Sequence, residues 1–156
     1  MAAQLDEIDL QLLRELQADA DRPNVELARL VGLSPAATLN RVRRLKERGV
    51  IRGIHARLDP VQAGFPLQVY VSVILARHEP RASRGFVDAV RSMPQVIAAD
   101  EVAGEIDVML LVVARDVAEL QRVLTRLSTR GAQRLTTLLR LDEIKPPSPL
   151  PVTAIG

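Results

Sequence analysis

Apolar residues recur at helical spacing through the first fifty positions, and the period then changes. In residues 5–19, Ile8, Leu12, Leu13 and Leu16 share one face of a predicted helix, and Asp6, Glu7 and Asp9 fall in its first turn, where the helix dipole favours acids. Residues 24–32 give a short second helix with Asn24 as its cap, Leu27, Ala28 and Val31 turned inward, and Gly32 at a sharp turn. A third helix starts at Ser34, whose hydroxyl can cap it. Pro35 loses nothing at a first helical position, and Gly49 closes the far end. Winding this helix at about 100° per residue puts Thr38, Leu39, Val42 and Leu45 on a core face. Ala36, Ala37, Asn40, Arg41, Arg44 and Arg48 fall on the opposite face.

After Gly49, residues 50–60 read as an extended wing or linker strand, with Ile54, Ala56 and Leu58 alternating against His55 and Arg57. Asp59-Pro60 and Gly64-Phe65-Pro66 break regular structure, and alternation takes over beyond them. A strand at 67–77 precedes a helix at 80–93 that buries Phe86, Val90 and Met93. Strands at 96–103 and 108–114 flank a turn at Gly104-Glu105-Ile106-Asp107. Asp116 caps the next helix, with Glu119 completing a capping box and Val117, Leu120, Val123, Leu124 and Leu127 inward. A last strand spans 133–144, and Pro146, Pro147, Pro149 and Pro151 leave an extended tail.

These elements predict an α+β chain: a winged helix-turn-helix domain joined to a ferredoxin-like βαββαβ domain. The expected boundaries are 1–52 for the helix-turn-helix, 53–66 for the linker strand and loop, 67–145 for the ferredoxin-like domain and 146–156 for the proline-rich tail. In a ferredoxin-like sheet both helices cover one face, and the other should alternate apolar with polar if it meets water. Here Val69, Val71, Val73 and Leu75 alternate with Tyr70, Ser72, Ile74 and Ala76, and residues 108–114 are apolar throughout. A second copy of the same sheet is the simplest cover, which predicts a two-fold dimer.

Charge sharpens the first domain. Net charge is only +2, but residues 1–40 carry three arginines against seven acids, whereas 41–57 carry seven basic residues against Glu47 alone. The positive field coincides with the third helix. Ser34, Pro35, Ala36 and Ala37 let backbone approach closely, and Asn40, Arg41, Arg44 and Arg48 follow with an amide and guanidinium groups. That order suits a helix entering the major groove of duplex DNA, with phosphate contacts supplying much of the affinity.

Other chemistries find little support. The chain has no cysteine, so disulfides, thiolate zinc sites and a cysteine nucleophile are excluded. Its two histidines, His55 and His78, lack neighbours at metal-ligand spacing, so neither a catalytic nor a metal site is expected, nor a cofactor. No stretch approaches the roughly 18 apolar residues of a membrane span, and the N-terminus lacks a signal-peptide pattern. A cytoplasmic protein without membrane association is expected.

The chain resembles the Lrp/AsnC family of transcription regulators over nearly its whole length. The resemblance is carried by Leu5-Asp6-Glu7-Ile8-Asp9, Glu26-Leu27-Ala28, Val31-Gly32-Leu33-Ser34-Pro35, Arg41-Val42-Arg43-Arg44-Leu45, Gly49-Val50-Ile51 with Gly53, Leu58-Asp59-Pro60 and Gly64. In the second half it rests on Met93-Pro94-Gln95-Val96, Ala103-Gly104-Glu105-Ile106-Asp107, Thr137, Ile144-Lys145 and Leu150-Pro151. It departs from the family pattern at Thr129-Arg130-Gly131-Ala132, at Ile54 and at Ala98-Ala99.

The resemblance implies a DNA-binding domain and an effector domain that takes a small molecule, typically an amino acid, between dimers that assemble to octamers. By the same carry-over, Gly104, Glu105, Asp107 and Thr137 fall at the effector site. The chemistry fits, since a carboxylate can meet the effector's ammonium and backbone N–H groups at a glycine turn its carboxylate. Gly104 and Asp107 also read simply as turn residues. Two rival functions stand beside a ligand-responsive regulator: an effector-independent architectural DNA-binding protein, and an enzyme akin to siroheme decarboxylases, which resemble the same two-domain layout.

Overall fold

The structure, a computed structural model, describes residues 4–76 and 80–153, and for 80–83 the backbone alone. It divides into two compact units: residues up to Ala56 together with those from Lys145 on, and residues Arg57–Ile144.

The first unit is three helices and a returning tail. Helix α1 spans Glu7–Ala18, α2 Asn24–Leu30 and α3 Pro35–Glu47. Asp6 opens α1 through a capping box, accepting the Asp9 amide while the Asp9 side chain reaches back to the Asp6 amide. Leu12, Leu13, Leu27, Val31 and Leu45 form the core of the three helices. The tail packs against this core through Val152, and the Gln17 side-chain amide grips Leu150 at both backbone groups. Its Nε2 donates to the Leu150 carbonyl at 3.1 Å and its Oε1 accepts the Leu150 amide at 2.7 Å.

The expected wing strand is absent: residues 52–59 form no ladder. Alternation alone does not make a strand, because its amides need a partner edge, and Ile54 and Leu58 are exposed rather than set against a core.

The second unit holds β1 (Leu67–Leu75), α4 (Pro80–Ser92), β2 (Val96–Glu101), β3 (Val108–Ala114), α5 (Val117–Ser128) and β4 (Ala132–Leu139). The strands form one antiparallel sheet in the order β2-β3-β1-β4, the ferredoxin-like arrangement. Val69, Val71 and Val73 of β1 and Leu110 and Val112 of β3 face Phe86, Val90, Val123 and Leu127 of the two helices. The alternate residues lie on the open face, where Tyr70 stands opposite both Leu111 and Leu138. Tyr70 is 39% exposed and Leu138 52%.

Several element ends differ from expectation. β4 stops at Leu139 instead of Ile144: its last bond to β1 is the Arg140 amide donating to the Gln68 carbonyl at 2.9 Å, and residues 141–144 form no ladder beyond it. β2 ends at Glu101 instead of Ala103, and a register shift between Val96 and Ala98 leaves Ile97 outside the ladder. Val117, expected inward, is 71% exposed in the first turn of α5. Asp116 caps that helix at the Glu119 amide, but the Glu119 carboxylate bonds the Arg115 amide and the Gln95 side chain, so the reciprocal half of the capping box is not made. His78 lies outside the described residues.

Candidate nucleic-acid interface and effector loop

Helix α3 is defined at both ends. Ser34 Oγ accepts the Ala37 amide at 3.2 Å, and Pro35 is the first helical residue. Gly49 ends the segment at φ +71°, a left-handed conformation that glycine adopts at no steric cost. Thr38 is fully buried and donates its hydroxyl to the Ser34 carbonyl at 3.0 Å. Asn24, expected to cap α2, is instead its first residue, preceded by Pro23. Its side-chain amide donates to the Pro35 carbonyl at 2.8 Å and so ties the start of α2 to the start of α3.

The predicted reading face is largely open. Ser34, Pro35, Ala36, Asn40, Arg44 and Arg48 are exposed, and Ala37 and Arg41 half-buried. Leu39, expected in the core, is 59% exposed. The stripe that packs inward is Thr38, Val42 and Leu45, and Leu39 sits a quarter-turn off it. An apolar side chain thus stands beside the polar ones, as a thymine methyl would favour.

The guanidinium groups are not equivalent. Arg41 Nη1 donates to Asp6 Oδ2 at 2.6 Å and to Asp9 Oδ1 at 2.8 Å. The Asp9 amide, then the Arg41 guanidinium, hold the Asp6 carboxyl below its ordinary value, and both acids push Arg41 further up. Arg48 Nη2 donates to the Gln4 carbonyl at 2.8 Å, and Arg43 Nη2 to Asn40 Oδ1 at 3.1 Å. Arg44 has no ion-pair partner among the described residues. Asp6, Asp9, Arg41, Arg44 and Arg48 line one open cleft of about 550 Å³ between the start of α1 and α3. Sequence reading took Asp6 and Asp9 only as helix-dipole partners and missed their hold on Arg41. The available signal was two acids three residues apart, opening a helix in a domain otherwise crowded with arginine.

The effector candidates separate into two places. Residues 102–107 form a loop closed by the Val102 amide donating to the Asp107 carbonyl at 3.0 Å, with Gly104 at φ +149°. Glu105 projects exposed from this loop. Asp107 is anchored: its amide donates to the Val73 carbonyl at 2.9 Å, and its Oδ2 accepts the Leu75 amide at 2.8 Å. Thr137 is exposed on β4, paired with Val71. Asp107 and Thr137 therefore lie on opposite sides of β1, two strand spacings across and two to three residues along the strands, roughly 12–14 Å apart.

Among the described residues there is no cluster of three His, Asp or Glu able to hold a metal. No described helix is long and apolar enough to cross a membrane.

A capped, arginine-bearing second helix after a tight glycine turn, followed by a separate ferredoxin-like unit, defines a helix-turn-helix regulator with a ligand-binding domain. The family models agree. Residues 5–46 match the AsnC-type helix-turn-helix domain and residues 68–150 the Lrp/AsnC ligand binding domain. The chain is 41% identical over 121 residues to the transcriptional regulator AldR of Mycolicibacterium smegmatis, covering 78% of this chain and 71% of that protein. It is 35% identical over 143 residues to the leucine-responsive regulatory protein of Haemophilus influenzae, covering 90% and 86%. A transcriptional regulator of Neisseria meningitidis, solved in complex with L-Met, superposes with a TM-score of 0.86 at 32% identity, covering 94% of this chain and 96% of that one. The chain belongs to the Lrp/AsnC family of DNA-binding transcriptional regulators.

Proposed function

We propose that this regulator reads duplex DNA with α3, through Ser34, Pro35, Ala36, Ala37, Asn40, Arg44 and Arg48, and that an amino acid bound by the second unit modulates the binding. It works by binding rather than by catalysis, in the cytoplasm where its DNA is. The observation that carries this reading is the pairing of Arg44, free of any ion pair among the described residues, with an exposed Ser34-capped helix start.

The effector reading rests on the 102–107 loop and on the L-Met bound by the Neisseria relative. Glu105 is the exposed carboxylate that can meet an ammonium, and Asp107 shapes the loop while keeping its second oxygen available. Because Thr137 lies across β1 from Asp107, a pocket using both needs residues of another copy. The open sheet face supplies the dimer contact, since Tyr70, Met109, Leu111 and Leu138 form an apolar surface that two copies can bury against each other. Assembly of such dimers into an octamer completes the reading.

Gel shifts on the region upstream of the protein's own gene, against random duplex at rising salt, test the first half. A clear preference supports regulation, and equal affinities point to an architectural role. Calorimetry against the twenty amino acids tests the second. Glu105→Gln is expected to abolish binding of the best amino acid; full-strength binding by that variant refutes the placement.

A further inference from the structure

We infer that Arg41 is a positioning residue and not a DNA contact: the carboxylates of Asp6 and Asp9 at the start of α1 clamp its guanidinium and so hold α3 in the pose that presents its reading face. The inference rests on the reading of α3 as the recognition helix.

The argument begins with what Arg41 would have to give up. One of its nitrogens serves two carboxylate oxygens at 2.6 and 2.8 Å, both charge-assisted bonds. Asp9 is only 8% exposed, and its other oxygen is engaged in the α1 capping box. Withdrawing Arg41 toward a phosphate would leave that nearly buried carboxylate without its counter-charge, which is costly. It would exchange two ionic partners for one.

The local charge points the same way. The two carboxylates more than neutralise the Arg41 guanidinium, so the pull of this cleft on a phosphate comes from its other two arginines. Arg44 and Arg48 follow one and two turns further along the same helix face, and neither is paired with an acid among the described residues. They are the groups that can meet the backbone.

The clamp also joins two elements that the chain separates by more than thirty residues. Asp6 and Asp9 are fixed in direction by their mutual cap. Arg41 leaves the middle of α3, so its bond to them sets the position of that helix against α1. A carboxylate variant that leaves every arginine in place should therefore weaken DNA binding.

The test uses the full chain and a labelled duplex from the region upstream of its own gene, with affinity read by fluorescence anisotropy over a series of KCl concentrations. Melting curves fix a temperature at which every variant is folded. Asp9→Asn and Arg41→Ala are each expected to lower affinity by on the order of tenfold, with the double variant no worse than the worse single one. Neither should change the slope of log affinity against log salt, whereas Arg44→Ala should lower that slope by about one. If Asp9→Asn does not fold, Asp6→Asn, at the more exposed acid, is expected to show the same loss in smaller measure. Tighter binding by the carboxylate variants, or a slope change in Arg41→Ala equal to that of Arg44→Ala, overturns the inference and makes Arg41 a phosphate contact restrained by the acids. Failure of the unaltered protein to bind duplex at low salt, by contrast, overturns the recognition-helix reading itself.

Discussion

Glu119 is a carboxylate that the fold keeps charged although little of it is exposed. The Arg115 amide donates to it at 2.8 Å and the Gln95 side chain at 2.9 Å, and these bonds lower its affinity for a proton in that order. A carboxyl whose folded value is depressed stabilises the fold at any pH above its unfolded value near 4.5 and loses that contribution as pH falls through the folded value. Glu119→Gln should therefore be destabilised against urea at neutral pH, with the gap from the unaltered protein narrowing as pH falls below the unfolded value of 4.5. At Ser34 the expectation is simpler. Ser34→Ala leaves the Ala37 amide without its acceptor and should cost about 1 kcal/mol in denaturant unfolding, with a matching loss of DNA affinity. The role of Ser34 was legible because capping is a local matter of one hydroxyl and an amide three residues on. That of Glu119 was only half legible: its three-residue spacing from Asp116 was visible, but its bond to Gln95 spans two elements and appears only once the sheet is folded.

Among elements, the helices and strands of the second unit follow their periodicity closely because each buries one regular stripe or face. Phe86 is the largest side chain in that buried layer, and Phe86→Ala should cost about 3–5 kcal/mol by the cavity it leaves, read as a shift in urea midpoint. Where elements departed from expectation, long-range partners decided. The 52–59 stretch has strand-like alternation but no neighbouring edge, and residues 141–144 run on past the last bond to β1. Asn24 shows the same at a helix start: its composition suits a cap, yet the Pro35 carbonyl across the turn claims its amide. Asn24→Ala should loosen the angle between α2 and α3 and weaken DNA binding while the helical signal in circular dichroism stays constant.

On the scale of the whole molecule, the sheet face away from α4 and α5 is the surface the sequence declared most openly, through strands apolar on both sides. A charge placed there should part the copies without unfolding either. Tyr70→Asp or Leu138→Asp is expected to lower the sedimenting mass to that of a single chain that still unfolds cooperatively, at a lower temperature because the partner no longer stabilises it; a mass equal to that of the unaltered protein would remove this face from the assembly. The effector site was legible as a loop but not as a pocket. Gly104 and Asp107 mark the turn by residue type, whereas the separation of Asp107 from Thr137 depends on strand order, and no single stretch of sequence carries that order.

The returning tail adds a practical consequence for anyone dissecting the protein. A fragment cut at Ala56 would include Gln17 and Arg14 but not the Leu150 and Val152 backbone they hold, nor the Val152 side chain that closes part of the three-helix interior. Such an excised piece is missing a plank of its own wall. It should melt earlier than the same helices within the intact chain, and a poor grip on DNA by it would say little about the parent.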